Sequence, residues 1–171
     1  MTQVNNPVLS PARQTVGLLA WLALSFLTAW VGAVASISAP TFYGQLTQPD
    51  WAPPAWLFGP VWTTLFIMMA VAAWLVWRRG GFGARRGPLL LFLAQLVFNA
   101  LWSWLFFGWQ LGGWALLDIV ILWLLIAATI ATFWRTSPLA GLLLVPYIAW
   151  VSFAGALNYT LWQLNPQLLG G

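Results

Sequence analysis

Two amides and two aromatic rings share one face of an apolar stretch in the middle of the chain. Gln95, Asn99, Trp102 and Phe106 recur at intervals of three and four residues, which places them on one side of a helix. Polar side chains in a membrane-spanning helix are costly unless they are paired, and they usually face the interior of a bundle. The amides either bond between helices or contact carboxylate or pyrrole groups of a ligand, and both interpretations stay open.

A proline-rich segment with three tryptophans lies at the start of another apolar stretch. Residues 51–56 read WAPPAW, and Trp62 follows. Adjacent prolines favour extended backbone, and a proline near the start of a helix costs no hydrogen bond. The segment is therefore either a stiff aromatic lid over the mouth of the helix or a rigid loop that only starts the helix.

The last apolar stretch carries a similar face. Tyr147, Trp150, Ala154 and Leu157 share one side of the predicted helix. Pro146 should kink this helix, because proline removes a backbone hydrogen bond and crowds the preceding turn. The small residues at 154–156 leave room either for close helix packing or for a flat ligand.

Asp118 is an acid several residues inside a long apolar stretch. An intramembrane carboxylate is a functional candidate by default, yet proton relays generally use several ionisable groups. The sequence has no Glu or His with which Asp118 could exchange a proton. We therefore expect a structural role, with Asp118 protonated or hydrogen-bonded locally.

Several residue types that catalyse reactions or bind metals are absent from the sequence. It has no His, Cys, Lys or Glu, and its charged residues are six Arg and two Asp. The usual zinc and haem-iron ligands, disulfides and Ser/His or Cys/His nucleophile pairs are therefore excluded. We expect no cofactor, no metal site and no classical catalytic centre.

The elements that carry these residues must lie in lipid. The chain is 62% hydrophobic and only 5% charged, whereas soluble domains average about 25% charged residues. A soluble fold needs a charged exterior that this composition cannot supply. The positive net charge does not indicate a nucleic-acid partner, because nucleic-acid-binding proteins cluster basic residues on a solvated face, and here the Arg residues lie between apolar stretches.

Five apolar stretches are each long enough to cross the hydrocarbon core, which takes about 20 residues. They are residues 16–39, 56–77, 89–109, 112–134 and 139–164. Only a helix satisfies its backbone polar groups within one segment in lipid, so the sequence predicts an all-α integral membrane protein, a five-transmembrane-helix bundle with residues 1–171 as one domain. The alternative of a signal peptide for the first stretch is disfavoured, because a signal core has about 7–15 apolar residues.

The charges separate cleanly between the two sides of this bundle. Five spans place the N-terminus and the second and fourth loops on one side, and Asp50 on the other side in the first loop. The first side holds all six arginines: Arg13, Arg78, Arg79, Arg85, Arg86 and Arg135. The positive-inside rule then predicts a cytoplasmic N-terminus, in the inner membrane of a bacterium.

Six of the tryptophans lie near the ends of the apolar stretches, where an indole ring sits well at the membrane interface. They are Trp21, Trp74, Trp77, Trp109, Trp134 and Trp162. We expect these six to form an aromatic belt.

Four motifs occur in the order and at the spacing of one known family. They are residues 51–62, residues 95–108, residues 113–118 and residues 146–159. The chain resembles the TspO/MBR family (tryptophan-rich sensory protein/translocator protein, or peripheral-type benzodiazepine receptor) over roughly residues 15–163. Any one motif would be weak, but four in register are specific.

The resemblance implies a five-helix bundle, commonly dimeric, with a ligand pocket capped by the first loop. Family ligands are porphyrins and haem, cholesterol in the animal members, and synthetic benzodiazepine-site drugs. The implied function is a membrane receptor or sensor of porphyrins and related hydrophobic ligands that regulates tetrapyrrole or stress responses. The implied ligand-binding residues are Tyr43, Trp51, Pro53, Pro54, Trp62, Phe66, Gln95, Asn99, Trp102, Trp114, Trp150, Ala154 and Leu157.

One departure from the family pattern concerns sterols. The cholesterol-recognition pattern of the animal members has Arg or Lys shortly after a tyrosine, whereas here Gln163 stands after Tyr159. Such motifs are weak even when intact. The resemblance therefore does not extend to sterol binding at this motif.

Two other functions are compatible with the motifs: a small porphyrin transporter and a light-dependent porphyrin-degrading protein, an activity associated with some bacterial members. A proton-coupled transporter should show more intramembrane acids than Asp118, and an odd number of spans cannot form two equal inverted repeats. The sequence favours a receptor and leaves photo-oxidative degradation as the enzymatic alternative.

Overall fold

The computed structural model describes residues 10–170 and confirms an all-α bundle. Five of its helical segments are long and apolar enough to cross a membrane. These are the first to fifth spans: Pro11–Ala35, Ala55–Trp77, Arg86–Gly108, Gly112–Thr136 and Pro138–Leu164. Helical hydrogen bonding satisfies each backbone locally, as lipid requires.

The spans are built from regular helices and short irregular turns. In the first half of the chain these are α1 (Pro11–Ala35), α2 (Ala39–Gln45), a 3₁₀ turn (Ala55–Leu57), α3 (Phe58–Trp77) and α4 (Gly81–Ala84). In the second half they are α5 (Arg86–Ser103), a π-helical turn (Trp104–Gly108), α6 (Gly112–Thr136), α7 (Pro138–Leu143), α8 (Val145–Leu164) and α9 (Pro166–Leu169).

Prolines explain two features of the helix boundaries. The first predicted stretch extended to residue 39, but α1 ends at Ala35, and a new helix with Pro40 in its first turn follows. The predicted distortion at Pro146 is confirmed, because the fifth span is interrupted at Leu144, directly before the turn that contains the proline.

The connection between the third and fourth spans is short. The Trp109 N–H donates to the Trp104 carbonyl at 2.7 Å, which closes the π-helical turn. Gln110 then adopts a left-handed conformation with φ 59°. This tight reversal brings α5 and α6 against each other along their length.

Tryptophan rings lie directly on glycines of neighbouring helices. A Cβ added to Gly17 would come within 2.1 Å of the Trp77 ring, and one added to Gly141 within 2.6 Å of the Trp134 ring. Such distances are far inside van der Waals contact, so only glycine fits beneath each ring. The first and second spans consequently pack closely where Trp77 covers Gly17.

The aromatic-belt prediction is wrong for Trp21, and for the other five tryptophans it stays a prediction. Trp21 is only 7% exposed and packs edge-on against Phe92 with ring centroids 5.6 Å apart. Trp74 donates through Nε1 to the Gln14 carbonyl at 2.8 Å. These rings join helices within the bundle, whereas Trp109 is half exposed, as a belt residue would be.

Candidate functional site

The first and second spans touch at one end and separate toward the other. At the arginine-rich end Trp77 covers Gly17. Toward the opposite end a cavity of about 520 Å³ lies between these two spans, bounded also by the third span and by α2. Small-molecule sites in proteins commonly occupy about 300–1,000 Å³, so the cavity is large enough for a ligand.

Aromatic and small apolar side chains form most of the cavity wall. Its larger side chains are Phe26 and Trp30 of α1, Tyr43 of α2, Phe58, Trp62 and Phe66 of α3, Asn99 and Trp102 of α5, and Phe107. The Trp62 ring lies 5.7 Å from that of Phe66 and 6.2 Å from that of Tyr147. These contacts fix the indole at the wall.

Five of the thirteen predicted ligand-binding residues line this cavity: Tyr43, Trp62, Phe66, Asn99 and Trp102. The other eight lie outside its wall, in the loop above it or in the helices behind it. The ligand-binding role of all thirteen stays a prediction.

The first loop forms a lid, residues 39–54, that closes one end of the cavity. The Tyr43 hydroxyl donates to the Pro53 carbonyl at 3.1 Å. Burial raises the pKa of the Tyr43 hydroxyl above its ordinary value, so this group keeps its proton and remains a donor.

The other predicted residues of the first loop contact groups outside the cavity. Trp51 packs edge-on against Phe153 with ring centroids 5.8 Å apart, and Pro54 leads into the 3₁₀ turn that starts the second span. Trp51, Pro53 and Pro54 therefore shape the lid without lining the cavity.

Asn165 fastens the lid to the far end of the fifth span. Its Oδ1 accepts from the Thr47 N–H at 2.8 Å, and its Nδ2 donates to the Thr47 carbonyl at 2.9 Å. Asn165 is not among the residues predicted from the sequence. The available signal was an asparagine followed by proline directly after an apolar stretch, a pattern typical of a residue that caps or bridges backbone.

Behind the cavity, Asn99 belongs to a buried hydrogen-bond network between the third and fifth spans. Its Nδ2 donates to the Tyr147 hydroxyl at 3.0 Å, and that hydroxyl donates to Gln95 Oε1 at 2.7 Å. Gln95 Nε2 faces Met69 Sδ at 3.9 Å. The interhelical interpretation therefore describes Gln95, whereas Asn99 both bonds between helices and lines the cavity.

Trp102 makes a second link between these spans. Its Nε1 donates to Asn158 Oδ1 at 3.1 Å, and Asn158 Nδ2 donates to the Gly112 carbonyl at 3.0 Å. The indole also stacks on Phe106, with 5.4 Å between centroids and 13° between planes. The hydrogen bond at the edge of the indole and the stacking contact on its face together fix the orientation of Trp102 at the cavity wall.

The predicted face of the fifth span lies one layer behind the cavity. Trp150 packs against Phe58, a wall residue, with ring centroids 5.9 Å apart. Trp150 also borders an open groove of about 610 Å³ between the second and fifth spans, and its Nε1 is buried without a hydrogen-bond partner in residues 10–170. Ala154 and Leu157 are buried in the bundle. Trp150 therefore supports the cavity wall from behind through its contact with Phe58.

Two predicted residues of the fourth span are separated from the cavity. Trp114 is 60% exposed and contributes nothing to the wall. Asp118 is buried, and neither of its carboxyl oxygens has a hydrogen-bond partner in the part of the chain that the structure describes. Asp118 was expected to be either protonated or hydrogen-bonded locally; the described residues provide no such hydrogen bond, and the protonated state stays a prediction.

The arrangement suits a flat and largely apolar ligand. Rings from α1, α2, α3, α5 and the π-helical turn surround the cavity, and Asn99 supplies an amide at depth. Aromatic side chains bind flat π-systems through their faces and edges, while one or two polar groups fix orientation.

The sequence was also compared with known proteins. A model of the TspO/MBR family matches residues 3–163. Over 132 residues the chain is 48% identical to the tryptophan-rich protein TspO of Chlorobaculum tepidum, which covers 75% of this chain and 82% of that protein. It is 42% identical over 132 residues to the translocator protein of Homo sapiens (76% and 78% covered). It is 38% identical over 148 residues to the tryptophan-rich sensory protein of Cereibacter sphaeroides (84% and 91% covered).

Proposed function

Because this chain belongs to the TspO/MBR family of multi-pass membrane sensors and receptors, we propose that it binds porphyrins in the cavity beneath its lid. The observation that carries the proposal is the cavity itself, about 520 Å³ in volume and walled mainly by aromatic side chains. As a membrane receptor or sensor, the protein would report tetrapyrrole levels through the presence of this ligand. Haem-like molecules are included in the proposal because they share the flat macrocycle.

The cavity chemistry matches a macrocycle in two ways. A porphyrin presents two broad π-faces, and the rings of Trp62 and Trp102 stand on different helices at the wall. Aromatic pairs contribute about 0.5–1.5 kcal/mol beyond the area they bury. A porphyrin also carries pyrrole and carboxylate groups, for which Asn99 is an available partner within the cavity.

Trp62→Ala is expected to weaken the binding of protoporphyrin IX about 30-fold, because truncation of a central aromatic residue costs about 2 kcal/mol or more. Binding is measured by quenching of tryptophan fluorescence during titration of the purified protein. The matched control is Trp109→Ala, which removes the same indole from a half-exposed position outside the cavity and should leave the affinity unchanged.

Trp150→Ala distinguishes the cavity from the groove between the second and fifth spans. Trp150 borders the groove but only supports the cavity wall through Phe58, so its loss should weaken binding less than loss of Trp62. If Trp150→Ala has the larger effect in equally folded protein, the porphyrin site is the groove. If wild-type protein does not quench at all, the porphyrin proposal is wrong.

We also propose a cytoplasmic N-terminus in a bacterial inner membrane. The Arg79 guanidinium donates to the Thr136 carbonyl, so the ends of the second and fourth spans meet at the arginine-rich end, whereas the lid with Asp50 lies at the other. The positive-inside rule assigns the arginine-rich end to the cytoplasm. Reporter domains fused after Arg79 and after the C-terminus should lie in opposite compartments, and finding both in one compartment would contradict the topology.

A homodimer is proposed on the family resemblance. Its test is the mass of the purified protein in detergent, where a single-chain particle at all concentrations would argue against it.

A further inference from the structure

The exposed part of the cavity wall is confined almost entirely to two helical stripes. On the first span it comprises Phe26, Trp30 and Ala33, and on the second span Ala55, Gly59 and Thr63. Each set recurs at intervals of three or four residues, so each forms one face of its helix. Apart from Pro40 of α2, these six are the exposed wall residues, and they flank one gap between the first and second spans.

The deeper part of the wall is closed. Tyr43, Phe66, Asn99 and Trp102 are buried, and so is Gly32 of α1. A Cβ at Gly32 would lie 3.1 Å from Ser103 Oγ, which shows how closely the first and third spans meet there. The cavity is therefore open along the gap between the first and second spans and shut between the first and third.

The rim of the gap, formed by these six residues, is apolar except for the Thr63 hydroxyl and the Trp30 indole N–H. The one hydroxyl among the six rim residues, on Thr63, donates to the Gly59 carbonyl at 2.9 Å. Trp30 is 64% exposed and Phe26 is 40% exposed. The rim lies within membrane spans whose backbone polar groups are satisfied by the helices, and most of the side-chain surface at the rim is apolar.

The lid, in contrast to the gap, is held closed by hydrogen bonds. A ligand arriving from water would have to break the Tyr43 to Pro53 hydrogen bond or the paired bonds between Asn165 and Thr47. Among the described residues, no side-chain hydrogen bond crosses the gap between the stripes, and a Cβ at Gly59 would meet no atom within 4 Å.

We propose that the ligand enters and leaves the cavity sideways from the bilayer, through the gap between the first and second spans, while the lid stays closed. This inference rests on the proposed binding function and adds the route by which the ligand reaches the cavity. It restricts the ligands to molecules that partition into lipid. It also makes Phe26, Trp30 and Gly59 determinants of ligand exchange rates.

The test compares a blocked gap with a locked lid, using protoporphyrin IX and protein reconstituted in phospholipid nanodiscs. Gly59→Phe places a ring in the gap and should slow association and dissociation together, each about tenfold, with little change in Kd. Gly87→Phe is the matched control, because Gly87 is also a glycine of a membrane-span helix surrounded by open space, but it lies outside both the cavity wall and the lid. Its rates should equal those of wild-type protein.

The lid is locked by a disulfide between Thr47→Cys and Asn165→Cys. No competing disulfide can form within the chain, because its sequence contains no other cysteine. Stopped-flow quenching should give the same rates with the disulfide formed and reduced. Rates that fall on locking, with no effect of Gly59→Phe, would overturn the proposal and assign the route to the lid. A Gly59→Phe variant that lowers affinity without lowering the association rate would make Gly59 a wall residue only, and would equally overturn it.

A ligand-free measurement separates failure of the route from failure of the binding function. Spin labels at Trp30→Cys and Thr63→Cys should be relaxed by oxygen dissolved in lipid and not by a water-soluble nickel chelate. Preferential relaxation by the nickel chelate would show that the gap faces water, and the proposed route would be wrong. If the labels face lipid and protoporphyrin IX does not bind, the binding proposal fails while the opening to lipid stands.

Discussion

Gly17→Ala is expected to destabilise the protein by about 1–3 kcal/mol, the usual cost of overpacking. The direction of the expected change in stability is informative, because Ala ordinarily stabilises a helix by about 1 kcal/mol relative to Gly. A Cβ at residue 17 would lie 2.1 Å from the Trp77 ring, and the bond from Trp74 Nε1 to the Gln14 carbonyl holds the two helices together beside it. The midpoint of unfolding by dodecyl sulfate in mixed micelles measures the effect.

Gly87→Ala is the control for this prediction. Gly87 also lies in a membrane-span helix, but a Cβ there would meet nothing within 4 Å, so the substitution should be neutral or stabilising. Combining Gly17→Ala with Trp77→Leu should recover part of the loss, because the clash is then removed. Strictly additive effects of the two substitutions would contradict the assigned contact.

Tyr147→Phe should also destabilise the bundle, by about 1–3 kcal/mol. The hydroxyl donates to Gln95 Oε1 and accepts from Asn99 Nδ2, so the substitution deprives two buried amides of a partner at once. Each buried polar group left unsatisfied costs about 1–3 kcal/mol, although interhelical hydrogen bonds measured in membrane proteins average about 0.6 kcal/mol. Because the substitution removes two such bonds, this average corresponds to about 1.2 kcal/mol, near the lower end of the expected destabilisation.

The matched control for this second prediction is Tyr159→Phe on the same helix. Tyr159 is 52% exposed, so its hydroxyl is not buried in the network, and its removal should leave the unfolding midpoint unchanged. Equal effects of the two Tyr→Phe substitutions would show that the network contributes no stability. We expect protoporphyrin binding to fall only for Tyr147→Phe, because Asn99 then loses the contact that orients it at the cavity.

The spans were predictable because lipid imposes a strong and simple rule on length and hydropathy. The kink near Pro146 was predictable because its cause is local. Trp21 was misassigned because α1 begins at Pro11, which puts Trp21 ten residues along the helix, about 15 Å from its start. A position so far from the helix end is well below the interface.

The cavity was only partly predictable from sequence. Asn99 and Trp102 were found because a polar residue among apolar ones indicates the inward face of a helix. Phe26 and Trp30 were missed because the polar residues beside them, Ser25 and Thr28, carry only small hydroxyls, which commonly bond within their own helix as Thr28 does to the Leu24 carbonyl. No amide or charged group marked the face toward the cavity. Trp150 carried the expected periodicity, but periodicity gives a direction and not a depth, and Phe58 stands between it and the cavity.

The clasp between Asn165 and Thr47 has a consequence for biosynthesis. Its partners are 118 residues apart in the chain, and ribosomes add about 5–20 residues per second, so Thr47 is made about 6–24 seconds before Asn165 exists. Throughout that interval the nascent protein has its first spans but an unfastened lid. A chain halted before residue 165 would stay in that state. Closure of the lid is therefore tied to completion of translation through the last span.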